Sequence, residues 1–485
     1  MPKPFYITTT LPYVNSDPHV GFAMEIIRAD AIARYQKLQE REVFFNTGTD
    51  EHGQKLLTDA KDAGKEVKEY VDHFAAQFRN LKELLSISDD VHFIRTTDVH
   101  HEQAAQHLWK IVSDKGYIYK KNYETKYCVG CELEKTDSEL VDGRCPIHPT
   151  KDVEIINEEN YFFAFSKAAP LLKKLYQEKP QLVIPEFRFN EAKAFLERGL
   201  EDFSISRLKS KMSWGVSVPG DEEHVMYVWF DALTNYISTL GWPEDPNDDY
   251  KKFWEEGEKI QYCGKDNLRQ QSMMWQAMLL VAELPTTDHI VINGFINSGG
   301  QKMSKSIGNV LSPTDVIEYF KSFAGDLSSD VLRYYLLRHM NSFEDSDMTM
   351  ESIKEAYQAN LANGLGNLVS RIMKMAEDNL DNPVTQDFEI NQEYAEHLNS
   401  FDLNKAINIV WRNMSALDEL INTTKPFSKI KTDPETAKNL ILSLVFSLKN
   451  IAQMLKPFLP ETSTKIIALI KENKKPETPL FARLS

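Results

Sequence analysis

Residues 4–22 read PFYITTTLPYVNSDPHVGF, and this stretch decides the fold. Residues 4–13 are rich in aromatic and β-branched side chains, which predicts a strand that stops at the turn-forming NSDPH. After His19 the apolar residues recur at helical spacing and predict a helix; they are Val20, Ala23, Ile26, Ile27, Ala31 and Ile32. REVFFNTGTDEHG, residues 41–53, predicts a second buried strand that ends in a polar loop. Strand, helix and strand in this order predict an α/β fold with a parallel sheet and a ligand site at the strand ends.

Length and composition limit the class of protein. A chain of 485 residues is too long for one ordinary core, so we expect about two or three domains. Hydrophobic residues make up 42% and charged residues 26%, as in soluble globular proteins. No apolar run reaches the ~18 residues of a membrane span and MPKPFYITTT lacks a secretory pattern, so we expect a cytoplasmic protein without a membrane partner. The net charge of −16 argues against sequence-blind coating of nucleic acid, but it allows a local basic surface for one RNA.

The sequence changes character twice beyond the first predicted strands. Cysteine, glycine and proline cluster between Tyr127 and Thr150, which indicates an inserted module. From about Val225 the α/β pattern resumes in YVWFDALTNYI, IQYCGKDNLRQQSMMWQAMLL and HIVINGFI. No glycine follows Gly366, and long amphipathic stretches such as AINIVWRNMSALDELI predict an all-helical C-terminal domain.

The segment Pro12–Phe22 lies between the predicted strand and the predicted helix. The start of a helix offers unpaired amides and a positive dipole end to a phosphate. His19 can donate a hydrogen bond to a phosphate oxygen there, and Gly21 lets a nucleotide base approach the backbone. On this segment alone, an ordinary role of His19 as a helix cap or packed side chain is the alternative.

A second segment with phosphate chemistry reads KMSKS, with Gly299 and Gly300 before it and Gly308 after it. Its residues are Lys302, Met303, Ser304, Lys305 and Ser306. When a carboxylate attacks an α-phosphate, negative charge grows on the departing pyrophosphate, and two mobile lysines that close over it stabilise the transition state. The glycines would act as hinges. A lone segment of this kind also fits a solvated surface loop, but the two segments together are more specific.

Residues 19–22 read HVGF, which is close to the HIGH motif, and an intact KMSKS segment follows about 280 residues later. In this pair of motifs the chain resembles the class I aminoacyl-tRNA synthetases. These enzymes activate an amino acid with ATP as an aminoacyl-adenylate and transfer it to tRNA. The resemblance implies ATP bound with Mg²⁺, and catalytic roles for His19, Lys302 and Lys305. The enzymes for leucine, isoleucine and valine carry a large editing insertion that 485 residues cannot hold, so the shorter methionine and cysteine enzymes remain.

Four metal-ligating side chains occur in the inserted module. Cys128 and Cys131 are separated by two residues, 13 residues follow, and Cys145 and His148 are again separated by two. Two tight turns of this kind place four ligands around one tetrahedral ion, which predicts a structural Zn²⁺ without an open catalytic position. Unrelated surface thiols are the alternative, and Cys263 is expected to be a small buried thiol. The segment Cys128–His148, called the zinc knuckle below, resembles in its position the zinc knuckle in the connective insertion of methionyl-tRNA synthetases. Cysteine enzymes instead use zinc inside the substrate pocket.

Methionine requires a pocket with an acid for its amino group and aromatic surface around its thioether. Resemblance to methionyl-tRNA synthetases implies that the methionine site consists of Leu11, Tyr13, Asp50, Trp229, Ala232, Tyr236, Gln271 and Trp275. Asp50 is the residue expected to meet the amino group. The helical spacing of Trp229, Ala232 and Tyr236 equally suits an ordinary core face.

The same resemblance implies an ATP site made of Pro12, His19, Gly21, Phe22, Gly264, Asp266 and the loop Lys302–Ser306. Asp266 would accept hydrogen bonds from the ribose hydroxyls. Arg207 is a further residue carried over from the family. The chain departs from the family at Phe22, where a second histidine is usual, and at Gln271, where a pocket histidine is usual. Phe22 can stack on a base but cannot donate to a phosphate, and Gln271 cannot become charged.

An anticodon-binding role for the helical domain follows from the resemblance. Asn367 and Arg371 are four residues apart and share one helix face, where they can hydrogen-bond to the edges of splayed-out bases. Phe427 can stack on a base, although the family usually has tryptophan there. Without the upstream signatures, a solvated helix face is the simpler interpretation of Asn367 and Arg371.

The expected fold is therefore a Rossmann-type parallel-sheet catalytic domain that is interrupted by a zinc-knuckle insertion and followed by an all-α helical bundle. The expected boundaries are 1–115 and 225–325 for the two halves of the catalytic domain, 116–224 for the insertion, 326–355 for a linking segment and 356–485 for the anticodon-binding domain. We expect a monomer that charges tRNA(Met) with L-methionine for initiation and elongation. The alternatives are a class I synthetase for cysteine or leucine, a non-catalytic tRNA-binding relative, and a small-molecule nucleotidylyltransferase, which leaves the knuckle and the helical domain unexplained.

Overall fold

The computed structural model describes residues 2–131, 133–135, 137–302, 310–385 and 390–484. Contacts divide the chain into two compact units. The first unit consists of residues up to Asp17, Arg41–Asn80 and Asp90–Ile292, and the second consists of Pro18–Glu40, Leu81–Asp89 and the chain from Asn293 onward.

The helices and strands follow the chain in this order. The strands are β1 (Phe5–Thr8), β2 (Val43–Thr49), β3 (His92–Arg95), β4 (Ile118–Cys128), β5 (Leu133–Lys135), β6 (Glu154–Phe163), β7 (Val183–Ile184), β8 (Phe203–Ser204), β9 (Ser206–Leu208), β10 (Ser217–Val218), β11 (Asp221–Met226), β12 (Glu258–Gly264), β13 (His289–Asn293), β14 (Ile296–Ser298), β15 (Gln301–Lys302) and β16 (Ser346–Asp347). The α-helices are α1 (Val20–Leu38), α2 (Gln54–Asp62), α3 (Val67–Leu84), α4 (Val99–Asp114), α5 (Phe165–Glu178), α6 (Glu186–Glu197), α7 (Val228–Leu233), α8 (Asn235–Ser238), α9 (Gln276–Val281), α10 (Pro313–Ala324), α11 (Ser328–Arg338), α12 (Met350–Ala356), α13 (Asn367–Asn379), α14 (Gln392–Asn399), α15 (Leu403–Thr424), α16 (Pro426–Lys429), α17 (Pro434–Leu455) and α18 (Pro460–Glu472). Wider π-helical turns occur at Tyr250–Glu255, Gln270–Trp275 and Tyr357–Gly366, and 3₁₀ turns at Asp137–Glu139, Lys265–Asn267 and Gly325–Leu327.

A six-stranded sheet forms the centre of the first unit, in the order β3-β2-β1-β12-β13-β7. β1 pairs in parallel with β2 on one side and with β12 on the other. All of β1 is buried, as its continuous apolar sequence requires for a strand covered on both faces. Because chain order reverses at β1, the crevice beside its carboxyl end is the expected ligand site of a doubly wound sheet. The predicted parallel α/β fold is confirmed.

The segment expected to be inserted, residues 116–224, contains antiparallel strands and the two helices α5 and α6. β4 pairs with β6 along their length, from Ile118 opposite Phe163 to Tyr127 opposite Glu154, and the cysteine-rich segment follows at the end of this long hairpin. β7 lies in the same sequence range, yet it pairs in parallel with β13 and so becomes the edge strand of the central sheet. The chain therefore returns to the sheet before the second α/β stretch begins.

The core of the first unit is a continuous cluster of apolar side chains. Its largest fully buried members include Tyr6, Tyr236, Trp254 and Trp275. The Tyr6 hydroxyl donates to the backbone oxygen of Tyr236 over 2.9 Å, so even a polar group in this core has its partner.

The second unit is largely helical. The predicted amphipathic stretches form α15 and α17, and every described element after Met350 is a helix, which confirms the helical C-terminal domain. The fully buried Arg333 pairs with Asp30 over 2.8 Å and donates to the backbone oxygen of Phe458, so its charge is compensated. Among the residues that the structure describes, no helix has the length and apolar character needed to cross a bilayer.

Candidate functional site

The carboxyl ends of β1 and β2 bring Tyr13 and Asp50 together. These residues form an isolated parallel bridge, in which the Asp50 amide donates to Pro12 over 3.0 Å and the Val14 amide donates to Asp50 over 3.3 Å. Asp50 is only 5% exposed. A carboxylate is therefore held almost out of water at the switch point of the sheet, where it can bind an amino group.

An aromatic wall lies beside this carboxylate. Tyr13 and Trp229 are both half-buried and pack against the same small cluster of Tyr127, Tyr227 and Val228. Trp229 is placed there by α7, which begins immediately after β11. The sequence predicted Tyr13 and Trp229 as pocket residues, and the structure places them in one cluster.

The other predicted pocket residues lie deeper. Trp275 is fully buried and its ring centroid lies 5.8 Å from that of Tyr236. The Gln271 amide nitrogen donates to the Tyr236 hydroxyl over 2.6 Å, while the Gln271 oxygen accepts from Gln261 over 3.3 Å. Ala232 is also buried, at 7% exposure. These contacts fix the Tyr236 phenol in one orientation.

The remaining residues of this sheet edge are more exposed. Gly264 ends β12, the strand next to β1, and Asp266 is exposed in the 3₁₀ turn that follows. Leu11 is half-buried after β1. The structure thus puts the residues predicted for the ribose at the same edge of the sheet as Asp50, because the carboxyl ends of parallel strands share one edge.

In the second unit, His19 caps α1. Its Nδ1 atom accepts from the Gly21 amide over 3.0 Å, and its ring stacks on Phe22 with centroids 4.3 Å apart. A Cβ atom at Gly21 would lie 2.7 Å from His19 Cε1, so only glycine allows this ring position. The cap considered as the alternative is therefore present, and it requires the ring to accept at Nδ1.

The start of α1 is hydrogen-bonded to a residue that follows the KMSKS segment by five positions. The Val20 amide donates to Leu311 over 3.1 Å. Before the loop, Gly299 and Gly300 both have positive φ, 61° and 74°, and form the tight turn of the β14–β15 hairpin. Met303, Ser304, Lys305 and Ser306 lie outside the described residues, and only the backbone of Lys302 is described.

The four predicted metal ligands converge. The ligand atoms of Cys128, Cys131, Cys145 and His148 all lie within 4.8 Å of one another. The separations are 3.4 Å between the sulfurs of Cys131 and Cys145, and 3.2 and 3.8 Å from His148 Nδ1 to the sulfurs of Cys131 and Cys128. Tetrahedral zinc bonds of about 2.0–2.3 Å require ligand separations of roughly 3.5–3.8 Å, so the donor set fits this ion.

The backbone around the knuckle supports the same arrangement. The Cys131 amide donates to Cys128, and the His148 amide donates to Cys145, so the two halves of the site use the same tight turn. A Cβ atom at Gly130 would lie 2.5 Å from His148 Cγ, which leaves room only for glycine. Burial raises the pKa of the Cys145 thiol, but hydrogen bonds from Cys131 and from the backbone amide of His148 outweigh it and lower that pKa. Burial and the hydrogen bond with Cys145 raise the pKa of Cys131, so this pair favours a thiolate on Cys145. Cys263 is buried and in no disulfide, as expected for a small buried thiol.

The predicted anticodon residues lie on helices of the second unit. Asn367 is exposed at the first residue of α13, and Arg371 follows one turn later. Arg371 pairs with Asp418 and donates to the Asn422 side-chain oxygen over 3.1 Å. Phe427 lies in the short α16 and is 52% exposed.

Two polar networks at the sheet edge were not predicted from the sequence. Glu51 is fully buried and accepts two hydrogen bonds from Arg95, over 2.6 and 2.7 Å. His52 and His101 both contact Asp231, over 2.7 and 2.8 Å. A usable signal was present, because Glu51 and His52 directly follow Asp50, and Asp231 is the only charge in the apolar stretch YVWFDAL.

Comparison with known families identifies matches along nearly the whole chain. The sequence model for "tRNA synthetases class I (M)" matches residues 5–154 and 138–373. The model for "Anticodon binding domain of methionyl tRNA ligase" matches residues 373–480.

Proteins of similar sequence and structure agree with these matches. A methionine–tRNA ligase of Rhizobium meliloti (strain 1021) is 36% identical over 485 residues, which cover 96% of this chain and 92% of that protein. One from Thermotoga maritima is 37% identical, with 97% of this chain and 76% of that protein covered. The Mycobacterium tuberculosis methionyl-tRNA synthetase in complex with methionyl-adenylate superposes with a TM-score of 0.89 at 32% identity, covering 99% of this chain and 100% of that one.

Proposed function

Because the chain belongs to the class I tRNA synthetases specific for methionine, we propose that its methionine site is the aromatic pocket beside Asp50. The chain is a methionine–tRNA ligase, which activates methionine with ATP as methionyl-adenylate and charges tRNA. The observation that carries the site is the bridge between Tyr13 and Asp50, since it sets a buried carboxylate against an aromatic wall at the switch point of the sheet.

The ammonium group and the thioether of methionine are bound at opposite ends of this pocket. The Asp50 carboxylate binds the substrate ammonium group, and its burial strengthens that ion pair. The thioether lies against Trp229, Tyr236 and Trp275, because sulfur packs favourably on aromatic rings. Leu11, Tyr13, Ala232 and Gln271 complete the pocket.

ATP, bound with Mg²⁺, uses the residues of the two signatures. Since His19 accepts at Nδ1, its proton lies on Nε2, from which it can donate to a phosphate oxygen. Asp266 accepts from the ribose hydroxyls. Lys302 and Lys305 stabilise the charge that develops on the departing pyrophosphate as the methionine carboxylate attacks the α-phosphate. Pro12, Gly21, Phe22, Gly264, Met303, Ser304 and Ser306 complete the nucleotide contacts.

One Zn²⁺ is held by Cys128, Cys131, Cys145 and His148 as a structural ion. The ion would cross-link the turn Cys128–Cys131 to the turn Cys145–His148. Because the four side chains complete a tetrahedral donor set, no coordination position is left for a catalytic water or a substrate. Cys145→Ser should therefore lose zinc by mass spectrometry and unfold the knuckle, whereas Cys263→Ser should keep the metal. Full zinc retention in Cys145→Ser would contradict this role.

The helical domain reads the anticodon of tRNA(Met) through Asn367, Arg371 and Phe427. Arg371 exchanges Asp418 for a base edge, and Phe427 stacks on an unpaired base. The protein works as a cytoplasmic monomer on both initiator and elongator tRNA. None of the four cysteines is in a disulfide, which fits a reducing compartment, and light scattering of the purified chain tests the monomer.

ATP–pyrophosphate exchange with each standard amino acid, followed by tRNA charging, tests the function. Exchange with methionine alone and charging of tRNA(Met) are expected. Exchange with cysteine or leucine but none with methionine would contradict the assignment. Binding of tRNA without any exchange would identify a non-catalytic relative instead.

A further inference from the structure

A set of buried polar side chains includes close sequence neighbours of residues of the proposed methionine pocket. His52 follows β2, His101 lies on α4, Asp231 lies on α7 and Ser238 ends α8. None of the four is more than 3% exposed. Because buried polar groups are costly unless paired, the geometry of this cluster is restricted to the few arrangements that satisfy all its members.

The hydrogen bonds of the cluster run through Asp231. Its Oδ2 atom lies 2.7 Å from His52 Nδ1, and its Oδ1 atom lies 2.8 Å from His101 Nε2. A carboxylate can only accept, so His52 donates from Nδ1 and His101 donates from Nε2. The second nitrogen of His101 lies 2.8 Å from the Ser238 hydroxyl, which extends the chain of contacts to α8.

Charge holds the cluster together. Burial opposes the ionised carboxyl group, but the His52 charge and the hydrogen bonds from both histidines lower the pKa of Asp231 to about 2. Burial likewise opposes the imidazolium of His52, yet Asp231, Glu102 and Glu51 together raise the pKa of that ring. The cluster therefore combines a carboxylate that is ionised near neutral pH with a hydrogen-bond donor on either side.

The elements joined by this cluster carry the methionine pocket. His52 is two residues beyond Asp50, and Asp231 lies between Trp229 and Ala232 on one short helix. We infer that His52, Asp231 and His101 form a positioning relay that fixes the carboxylate end of the pocket against its aromatic end. The relay rests on the proposed function of the pocket, and none of its members contacts substrate.

Amide side chains can replace each histidine with the donor nitrogen either in the same place (matched variants) or displaced (mismatched variants). Comparing the two kinds of variant distinguishes a positioning role from simple packing. An asparagine amide nitrogen takes the place of histidine Nδ1, and a glutamine nitrogen takes the place of Nε2. His52→Asn and His101→Gln therefore keep each donor where Asp231 needs it, whereas His52→Gln and His101→Asn misplace it. His100→Leu, on the exposed neighbour of His101, is the control.

The test measures ATP–pyrophosphate exchange by the full chain, with KM for methionine, KM for ATP and kcat determined separately. The matched variants should keep KM for methionine within about threefold of wild type, and the mismatched variants should raise it about tenfold or more. KM for ATP should stay within about twofold throughout, because the relay acts on the amino-acid pocket.

A rise of KM for methionine that is equal in matched and mismatched variants would overturn the relay, as would an equal rise of KM for ATP. The matched variants test the inference even if a mismatched variant does not fold. A tenfold rise of KM for methionine in either matched variant, equivalent to about 1.4 kcal/mol, would contradict the inference. Absence of methionine-dependent exchange in wild type would refute the proposed function instead.

Discussion

The proposed methionine pocket and the proposed anticodon face differ in how their side chains are held. Tyr236, Gln271 and Trp275 are each less than 3% exposed, and Tyr236 contacts both of the others. Asn367 is exposed on α13, and Phe427 is 52% exposed. The first region is part of the core, and the second is a surface.

Rearranging side chains therefore costs more free energy in the buried region than on the exposed one. Buried side chains cannot rearrange without loss of packing and hydrogen bonds, so amino-acid specificity is tied to the stability of the fold. The pair between Arg371 and Asp418 is partly exposed, and such pairs contribute only about 0–1 kcal/mol. The proposed exchange of Asp418 for RNA at Arg371 would therefore cost little free energy.

The largest effect is expected at the carboxylate end of the pocket. Asp50→Ala removes the proposed partner of the substrate ammonium group, and loss of one member of a buried charge pair costs about 2–5 kcal/mol. We expect kcat/KM for methionine in pyrophosphate exchange to fall about a hundredfold or more. A loss below about tenfold would show that Asp50 does not bind the ammonium group.

A smaller effect is expected at the buried hydroxyl of Tyr236. Tyr236→Phe leaves the Gln271 amide without its acceptor, which costs about 1–3 kcal/mol of unfolding free energy. KM for methionine should rise about tenfold, because the aromatic wall loses its fixed position. Tyr319→Phe, at a 38% exposed position, is the control. Equal behaviour of the two variants in urea unfolding and in exchange would mean that the hydroxyl has no role in the pocket.

On the anticodon face the effect should be confined to tRNA. Arg371→Ala is expected to raise KM for tRNA(Met) in charging about fivefold to tenfold, while methionine-dependent exchange stays at the wild-type rate. Lys374→Ala removes the same charge from an exposed position of α13 and separates base contact from general attraction. If both variants raise KM equally, Arg371 acts only through its charge.

The smallest expected effect is a pH dependence of stability. The pKa of His52 is raised in the folded chain, with Asp231, His101, Glu102 and Glu51 around it. Its contribution is complete below the unfolded value of about 6.5, and it is lost as the pH rises through the raised pKa. The unfolding free energy of wild type minus that of His52→Asn should thus decline as the pH rises above about 6.5, by roughly 1.4 kcal/mol for each unit of raised pKa. A difference that is constant in urea titrations across this range would contradict a charged His52.

Local patterns were sufficient to predict much of the fold. β1, β2 and α1 follow from apolar spacing between Phe5 and Thr49, and the knuckle follows from two pairs of ligands with equal spacing. The helical domain follows from the amphipathic stretches that became α15 and α17. In each case the signal lies within one short segment.

Contacts between distant segments could not be predicted in this way. β7 is two residues long and joins the central sheet through pairing with β13, about 100 residues away. The contacts of Asp231 with His52 and His101 span 179 and 130 residues, so no local pattern records them. The positions of Lys302 and Lys305 remain predictions, since their side chains lie outside the described part of the chain.

Direct binding of methionine, measured by calorimetry without ATP or tRNA, tests most closely whether the pocket alone sets amino-acid recognition. Arg371→Ala should bind methionine with the wild-type Kd, whereas Asp50→Ala should bind it about a hundredfold more weakly or not at all. Equal weakening in both variants, or wild-type affinity in Asp50→Ala, would contradict the assignment of the methionine site.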